Sequence, residues 1–272
     1  MNALRAIAVH CFTDILRSRI LYSIVAYAAV VMLVAVLAGE WTLGEEVRLV
    51  TDLGLGAMLL FGLLLVLTRG AETISREVER KTVRVMLARP IERWHFVVGS
   101  YLGMAMVLLL LVAALLAVLV VALLPMGGSP SWTLAVASWG VFLELLMVAA
   151  VALLASNLSS PVLATLLTLL VVFAGHLATG LRAWMDGGAD IEHLSPAERE
   201  LAAAYQAGPL NVGLRLGYYV LPIVAHVNFK TEVANALPVP VMRLILGTAY
   251  ALVYSGIMVL VATAVFRRRD VS

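Results

Sequence analysis

Two ionisable side chains, Glu144 and His176, stand inside otherwise apolar stretches of this 272-residue chain. A charged carboxylate at the centre of a bilayer costs at least about 2.5 kcal/mol. Glu144 is therefore protonated, hydrogen-bonded to a neighbouring helix, or part of a pathway through the membrane. His176 has polar company. At about 100° per residue, Thr165, Thr168, Val172, His176 and Thr179 share one helical stripe about 80° wide. Such a stripe faces other helices or a cavity rather than lipid, and both helix–helix hydrogen bonding and pathway lining fit it. A lone Glu and a lone His on different segments make neither a metal site nor a protease. The patterns His-Glu-x-x-His and Gly-x-Ser-x-Gly are both absent. The one cysteine, Cys11, excludes an intrachain disulfide and a multi-cysteine metal site. The only lysines are Lys81 and Lys230, and neither completes Gly-x-x-x-x-Gly-Lys-Ser/Thr, so the chain has no phosphate-binding P-loop.

The elements that carry these residues follow from composition. Hydrophobic residues make up 62% of the chain and charged residues 13%, and the mean hydropathy is +1.01. Soluble domains are about half apolar and a quarter charged. A soluble domain, a disordered chain and a nucleic-acid binder are thereby excluded, and a net charge of +2 implies no polyanionic partner. The expected fold is an all-α polytopic membrane protein forming one transmembrane domain over residues 1–272. A spanning helix needs about 20 mostly apolar residues. Six spans are predicted: Ile20–Leu37, Leu53–Thr68, Val97–Leu124, Leu134–Leu154, Val162–Leu181 and Leu244–Phe266. Val36-Leu37-Ala38 resembles a cleavage site, but the apolar run and the segment before it are too long for a signal peptide, so the first span is expected to remain.

Positive charge sets the orientation. Arg5, Arg17 and Arg19 precede the first span, and Arg267, Arg268 and Arg269 follow the last. The loop 69–96 carries Arg69, Arg76, Arg80, Lys81, Arg84, Arg89 and Arg93. The loop between the first two spans is instead acidic, with Glu40, Glu45, Glu46 and Asp52 against Arg48. Both termini and the 69–96 loop are expected in the cytoplasm. The acidic loop and the long loop 182–243 are expected outside.

Leu4, Ile7, Ala8, Cys11, Phe12, Ile15 and Leu16 recur at helical spacing, with Arg5, Asp14 and Arg17 elsewhere. This pattern predicts an amphipathic N-terminal helix at the membrane interface. In the loop 69–96, Ile74, Val78, Val85 and Met86 roughly keep a helix period until Pro90 breaks it. A charged helical hairpin of this kind suits a docking surface for another protein; arginines that only enforce topology fit equally well. Outside, Ser195-Pro196-Ala197-Glu198 forms a capping box, and Gly208-Pro209 closes the helix it starts. Tyr218-Tyr219 and the interrupted apolar stretch Leu214–Val227 read as interfacial or re-entrant. Ser156, Asn157, Ser159 and Ser160 read as the tight inner turn between the fourth and fifth spans.

The order of these features resembles the membrane permease subunits of ABC-2 type transporters along nearly the whole chain. Glu77-Val78-Glu79-Arg80-Lys81-Thr82, followed by Leu87, Pro90 and Arg93, is similar to that family's Glu-x-Glu-x-Gly-Thr … Leu … Pro … Arg pattern, with Lys81 in place of the glycine. Tyr218-Tyr219-Val220-Leu221-Pro222 with Asn228-Phe229 resembles the family's outer segment, and Phe266-Arg267-Arg268-Arg269-Asp270 its ending. The likeness is strongest to the branch containing the permease of the nitrous-oxide-reductase maturation system. The resemblance implies a non-catalytic subunit of the bacterial or archaeal plasma membrane, paired with an identical or different second permease. It also implies two cytoplasmic ATPase subunits, which would bind the ATP and magnesium, so that this chain holds no cofactor. Glu77, Glu79, Arg80, Thr82, Leu87, Pro90 and Arg93 would then couple ATP-driven closure to the spans, and Glu144, Thr165, Thr168, His176 and Thr179 are candidates for the pathway. An assembly scaffold that moves no solute and an ion-coupled secondary transporter remain as alternative classes.

Overall fold

The computed structural model describes residues 3–39, 46–70, 93–126, 131–185, 222–230, 233 and 239–268. Among these residues the regular structure is helical, without strands. It consists of α1 (Ala3–Leu16), α2 (Arg19–Gly39), α3 (Glu46–Leu65), α4 (Arg93–Leu123), α5 (Trp132–Leu158), α6 (Pro161–Met185) and α7 (Val241–Arg268). A π-helical turn, Val66–Gly70, extends α3, and 3-10 turns occupy Leu124–Met126 and Val224–His226. Among the described residues four helical stretches are long and apolar enough to cross a membrane: Glu46–Gly70, Trp94–Met126, Trp132–Leu158 and Val241–Arg267. The apolar stretches Leu21–Val31 in α2 and Pro161–Leu177 in α6 are shorter.

Two element limits differ from the sequence expectation for identifiable reasons. The second span was expected from Leu53, but α3 begins at Glu46. Its first turns are two-faced: Arg48 and Asp52 are exposed while Val50 and Thr51 are buried. An apolar run stops at the first charge, whereas a helix turns that charge outward and continues. Glu46 in the first turn also suits the positive end of the helix dipole. The inner turn before α6 is correspondingly shorter than expected. Ser156 and Asn157 lie within α5 and are buried. The Ser156 hydroxyl donates to the Leu153 carbonyl at 2.9 Å, and Asn157 Nδ2 donates to Ala262 O of α7 at 3.4 Å. The Ser156 bond stays within α5, whereas that of Asn157 bridges two helices, as polar groups do where lipid supplies no hydrogen bonds.

Contacts divide the chain into two compact units, residues 1–168 with 227–272, and residues 169–226. In the first unit α5 is the central helix, packed against α3, α4 and α7. Of the residues in its most apolar stretch 89% are buried, against 28% for α7. Glycines on α3 receive leucines from two neighbours: Leu119 of α4 fills the space over Gly54, and Leu145 of α5 the space over Gly62. Val97, Ala150, Leu153, Val259, Ala262 and Phe266 join α4, α5 and α7 in one apolar cluster. The Tyr101 hydroxyl donates to the Leu146 carbonyl at 3.3 Å, and Trp139 Nε1 donates to Thr248 Oγ1 at 3.1 Å. Small residues and such cross-links hold helices together when burial from water drives nothing. In the second unit, Pro222 and Val224 lie against α6 at Gly175.

The first helix, α1, packs along α4. Ala8 and Ile15 are buried, whereas Arg5, Asp14 and Arg17 are exposed. The groove that receives it is a small-xxx-small pair. A Cβ on Gly99 would stand 2.8 Å from Ile7 Cγ2, and one on Gly103 would stand 2.7 Å from Cys11 Cβ and 2.8 Å from the Ala8 carbonyl oxygen. The Cys11 thiol donates to Ser100 O at 3.6 Å. Gly103→Leu is accordingly expected to lift α1 from α4 at a cost of about 1–3 kcal/mol. The readout is Cys11 reactivity toward a membrane-permeant maleimide, which should rise severalfold; an unchanged rate would mean that α1 does not depend on this groove.

Candidate functional site

Glu144 sits near the middle of α5 and is only 2% exposed. One turn before it, Gly140 marks the place where a non-helical segment crosses α5. A Cβ at Gly140 would collide with the Val227 carbonyl oxygen and come within 2.8 Å of the Phe229 ring. Gly140 lies about 12 Å along the helix from Trp132, the first residue of α5. The segment therefore reaches well past the end of that helix. Phe229 is fully buried, and the Arg243 guanidinium lies 5.5 Å over its ring. The Asn228 carboxamide oxygen accepts the Lys230 N–H at 3.1 Å, and Val233 N–H donates to Phe229 O at 3.2 Å. These two bonds cap and begin a helical turn. Lys230 is half-buried. Burial pushes its ammonium below the ordinary lysine pKa, while the carboxylates of Glu144 and Asp52 pull it back up. These groups stand on three elements: Lys230 on the segment after Val227, Glu144 on α5 and Asp52 on α3.

From sequence Lys230 stands out only as one of two lysines, neither of which completes a P-loop. The available signal was local. A lysine directly follows an Asn-Phe pair that can cap a turn, at the end of an interrupted apolar stretch.

The polar stripe on α6 is occupied differently. Thr168 is fully buried and its hydroxyl donates to the Ala164 carbonyl at 2.7 Å. His176 is exposed, with Nδ1 3.0 Å from Val172 O. Thr179 belongs to α6, but its side chain lies outside the described residues. Thr165 has a role that its spacing did not disclose. Its hydroxyl reaches Pro161 O at 2.9 Å and Leu67 O at 3.4 Å, so its single proton serves one acceptor at a time. Leu67 belongs to the π-helical turn, where the backbone ladder is offset by one residue. Thr165 is thus a hydrogen-bond donor at the point where the chain leaves α3 for the 69–96 loop.

Of the residues expected to couple that loop to a partner, Glu77, Glu79, Arg80, Thr82, Leu87 and Pro90 lie outside the described residues. Arg93 opens α4, its side chain likewise outside them. Both flanks of the loop are in place. Gly70 closes the π turn against Ala152 of α5, a Cβ there standing 3.0 Å from the alanine's. On the other side Trp94 and His95 stack with ring centroids 3.8 Å apart. Among the described residues no group of three His, Cys, Asp or Glu side chains converges to hold a metal ion.

A family model described as "ABC-2 family transporter protein" matches residues 5–271. No curated protein matches the chain significantly. Because the match runs from the first helix past the end of the last, over a helical fold with membrane-length apolar helices, the chain belongs to the ABC-2 transporter family and is a membrane permease subunit of an ABC transporter.

Proposed function

We propose that this permease is the six-span membrane half of an ATP-driven exporter of a bacterial or archaeal plasma membrane. It pairs with a second permease and is worked by two cytoplasmic ATPase subunits that bind the ATP and magnesium. The observation that carries the reading is the family match over residues 5–271 in a chain with no P-loop of its own, since such a subunit needs its energy from a partner. The basic loop 69–96 supports docking at that loop, and its similarity to the family's Glu-x-Glu pattern supports a role for Glu77 and Glu79 in the contact. The charge distribution supports cytoplasmic termini. The likeness to the nitrous-oxide-reductase maturation branch favours a variant of the same reading, in which the ATP-driven motion does mechanical work on another membrane component.

Two measurements test this. Affinity purification of the tagged permease from its native membranes should retain an ABC ATPase in stoichiometric amounts; a permease that retains none is better read as a scaffold or an ion-coupled transporter. Topology is tested in a Cys11→Ser background. Glu45→Cys and Glu198→Cys should react with an impermeant thiol reagent in intact cells, and Arg84→Cys and Arg268→Cys only after the membrane is opened. Inverse labelling would overturn the orientation.

A further inference from the structure

We propose that the π turn Val66–Gly70 is a register lock at the root of the 69–96 loop. The residue it inserts sets Gly70, in place of Arg69, on Ala152 of α5, and Thr165 of α6 is the positioning residue that steadies the turn through the Leu67 carbonyl. The register stands on the structure alone; the passage of ATP-driven motion from the loop to α5 through this lock rests on the permease reading above.

Two contacts between α3 and α5 reveal the inserted residue. Leu145 fills the space over Gly62, and a Cβ on Gly70 would stand 3.0 Å from that of Ala152. Leu145 and Ala152 are seven residues apart on one α-helix. At about 100° per residue, seven residues return to the same face of a helix, about 20° short of two full turns. On a continuous α-helix the counterpart of Gly62 would therefore be Arg69, and Gly70 would lie about 80° off that line. A π turn holds one residue more than an α turn. The one at Val66–Gly70 thus brings Gly70 onto the line and turns Arg69 off it. The exchange has a physical reason. Ala152 is fully buried in the central helix. A glycine lets the two backbones approach there, whereas an arginine would set its charge against an apolar surface.

Two hydroxyls serve the offset turn. Thr68 donates to the carbonyls where regular α3 ends, with Leu64 O at 2.8 Å and Leu65 O at 3.2 Å. Thr165 reaches the turn from outside. Of its two acceptors, Leu67 O belongs to the turn and Pro161 O to α6 itself. The place of Thr165 is fixed in its turn, because the preceding Ala164 packs on Ala155 of α5. The central helix therefore holds the turn directly at Gly70 and again through the residue that steadies it. A loop rooted in such a turn displaces α3 and α5 together instead of pivoting at its base.

The test uses the full chain in lipid nanodiscs, in a Cys11→Ser background that leaves no other cysteine. A disulfide needs Cβ atoms about 3.5–4.5 Å apart. Under copper phenanthroline, Gly70→Cys/Ala152→Cys should therefore crosslink at least about tenfold faster than Arg69→Cys/Ala152→Cys. Equal rates or the reverse order would mean a continuous α-helix and overturn the lock. A Gly70→Cys protein that fails to fold where Arg69→Cys folds gives the same answer as fast crosslinking, since only the residue at the contact lacks room for a side chain. An Arg69→Cys protein that fails to fold overturns the register. Thr165→Val, which keeps the shape and removes the donor, should slow the Gly70→Cys/Ala152→Cys crosslink about threefold or more, and Thr165→Ser should keep the parent rate. A valine variant as fast as the parent, or a serine variant as slow as valine, would remove Thr165 from the lock. Transmission is tested in the permease–ATPase complex. Closing the Gly70→Cys/Ala152→Cys disulfide should leave permease-stimulated ATP hydrolysis near the rate of the reduced complex, because the turn does not leave α5 during the cycle. Inhibition on oxidation that reductant reverses would overturn this. Thr165→Val should retain its ATPase and stimulate it severalfold less, with Thr165→Ser restoring the rate; full stimulation in the valine variant would overturn its part in transmission. Absence of any ATPase from the complex would count against the permease reading while leaving the crosslinking result for the register intact.

Discussion

Gly140→Val is expected to drive the Val227–Lys230 segment off α5 while leaving α5 helical. The Cβ would meet the Val227 carbonyl oxygen, and the next nearest atoms belong to the Phe229 ring. A main-chain oxygen cannot rotate aside as a side-chain tip can. Nor can α5 retreat, being held by α3, α4 and α7. Overpacking a rigid contact costs about 1–3 kcal/mol and sometimes more, so the segment is the part that moves. Two other glycines calibrate the effect. An alanine Cβ at Gly62 would collide with Leu145 Cδ1, the end of a flexible side chain, whereas one at Gly56 would find nothing within 4 Å. Gly56→Ala should be neutral, or stabilising by about 0.5–1 kcal/mol through helix propensity. The predicted order of melting temperature is Gly56→Ala at or above the parent, Gly62→Ala slightly below, and Gly140→Val lowest. Only Gly140→Val should also expose a cysteine at Val227. A Gly140→Val protein that melts like its parent and keeps that cysteine protected would mean that the segment does not rest on α5.

What could be read beforehand was what depends on periodicity and charge. The buried positions of α1, Ala8 and Ile15, fall on the stripe marked by spacing, and Arg5, Asp14 and Arg17 fall off it. Spacing identifies a face and says nothing of what covers it, so the Gly99 and Gly103 groove on α4 emerged only from the fold. Apolar-run counting found the four helices long enough to cross a membrane but misplaced element ends. It stopped at Asp52, where α3 simply turns its charges outward, and it gave Ser156 and Asn157 to a turn although α5 uses both inside the bundle. Glu144 was legible because a carboxylate in an apolar run has few explanations. The backbone crossing one turn before it was not, because Val227 stands 87 positions after Gly140 in the sequence and only the fold brings the two together. Thr165 shows the limit from the other side. A stripe of hydroxyls signals polar contact, but which carbonyl takes the proton depends on the π turn at Val66–Gly70, and composition does not announce that turn.

Replacing both Glu77 and Glu79 with alanine should give a stable, correctly inserted permease that no longer engages its ATPase productively. The two residues lie in a loop rich in arginine, and exposed ion pairs contribute only about 0–1 kcal/mol to stability. Their loss should leave the melting temperature and the thiol topology unchanged. At an interface the same charges set register and partner choice, and a desolvated pair that loses one member costs about 2–5 kcal/mol. That corresponds to at least a tenfold loss of affinity. The flanks of the loop sharpen the expectation. One end leaves through the π turn packed on Ala152 of α5, and the other enters α4 at Arg93. A partner pulling on the loop therefore pulls on two of the helices that build the centre of the first unit. ATPase co-purification and permease-stimulated ATP hydrolysis should fall together in the double variant. Charge-retaining Glu77→Asp/Glu79→Asp should preserve more of both. If the alanine variant binds its ATPase and responds to ATP as the parent does, the loop serves only as a topology signal and the coupling assignment is wrong.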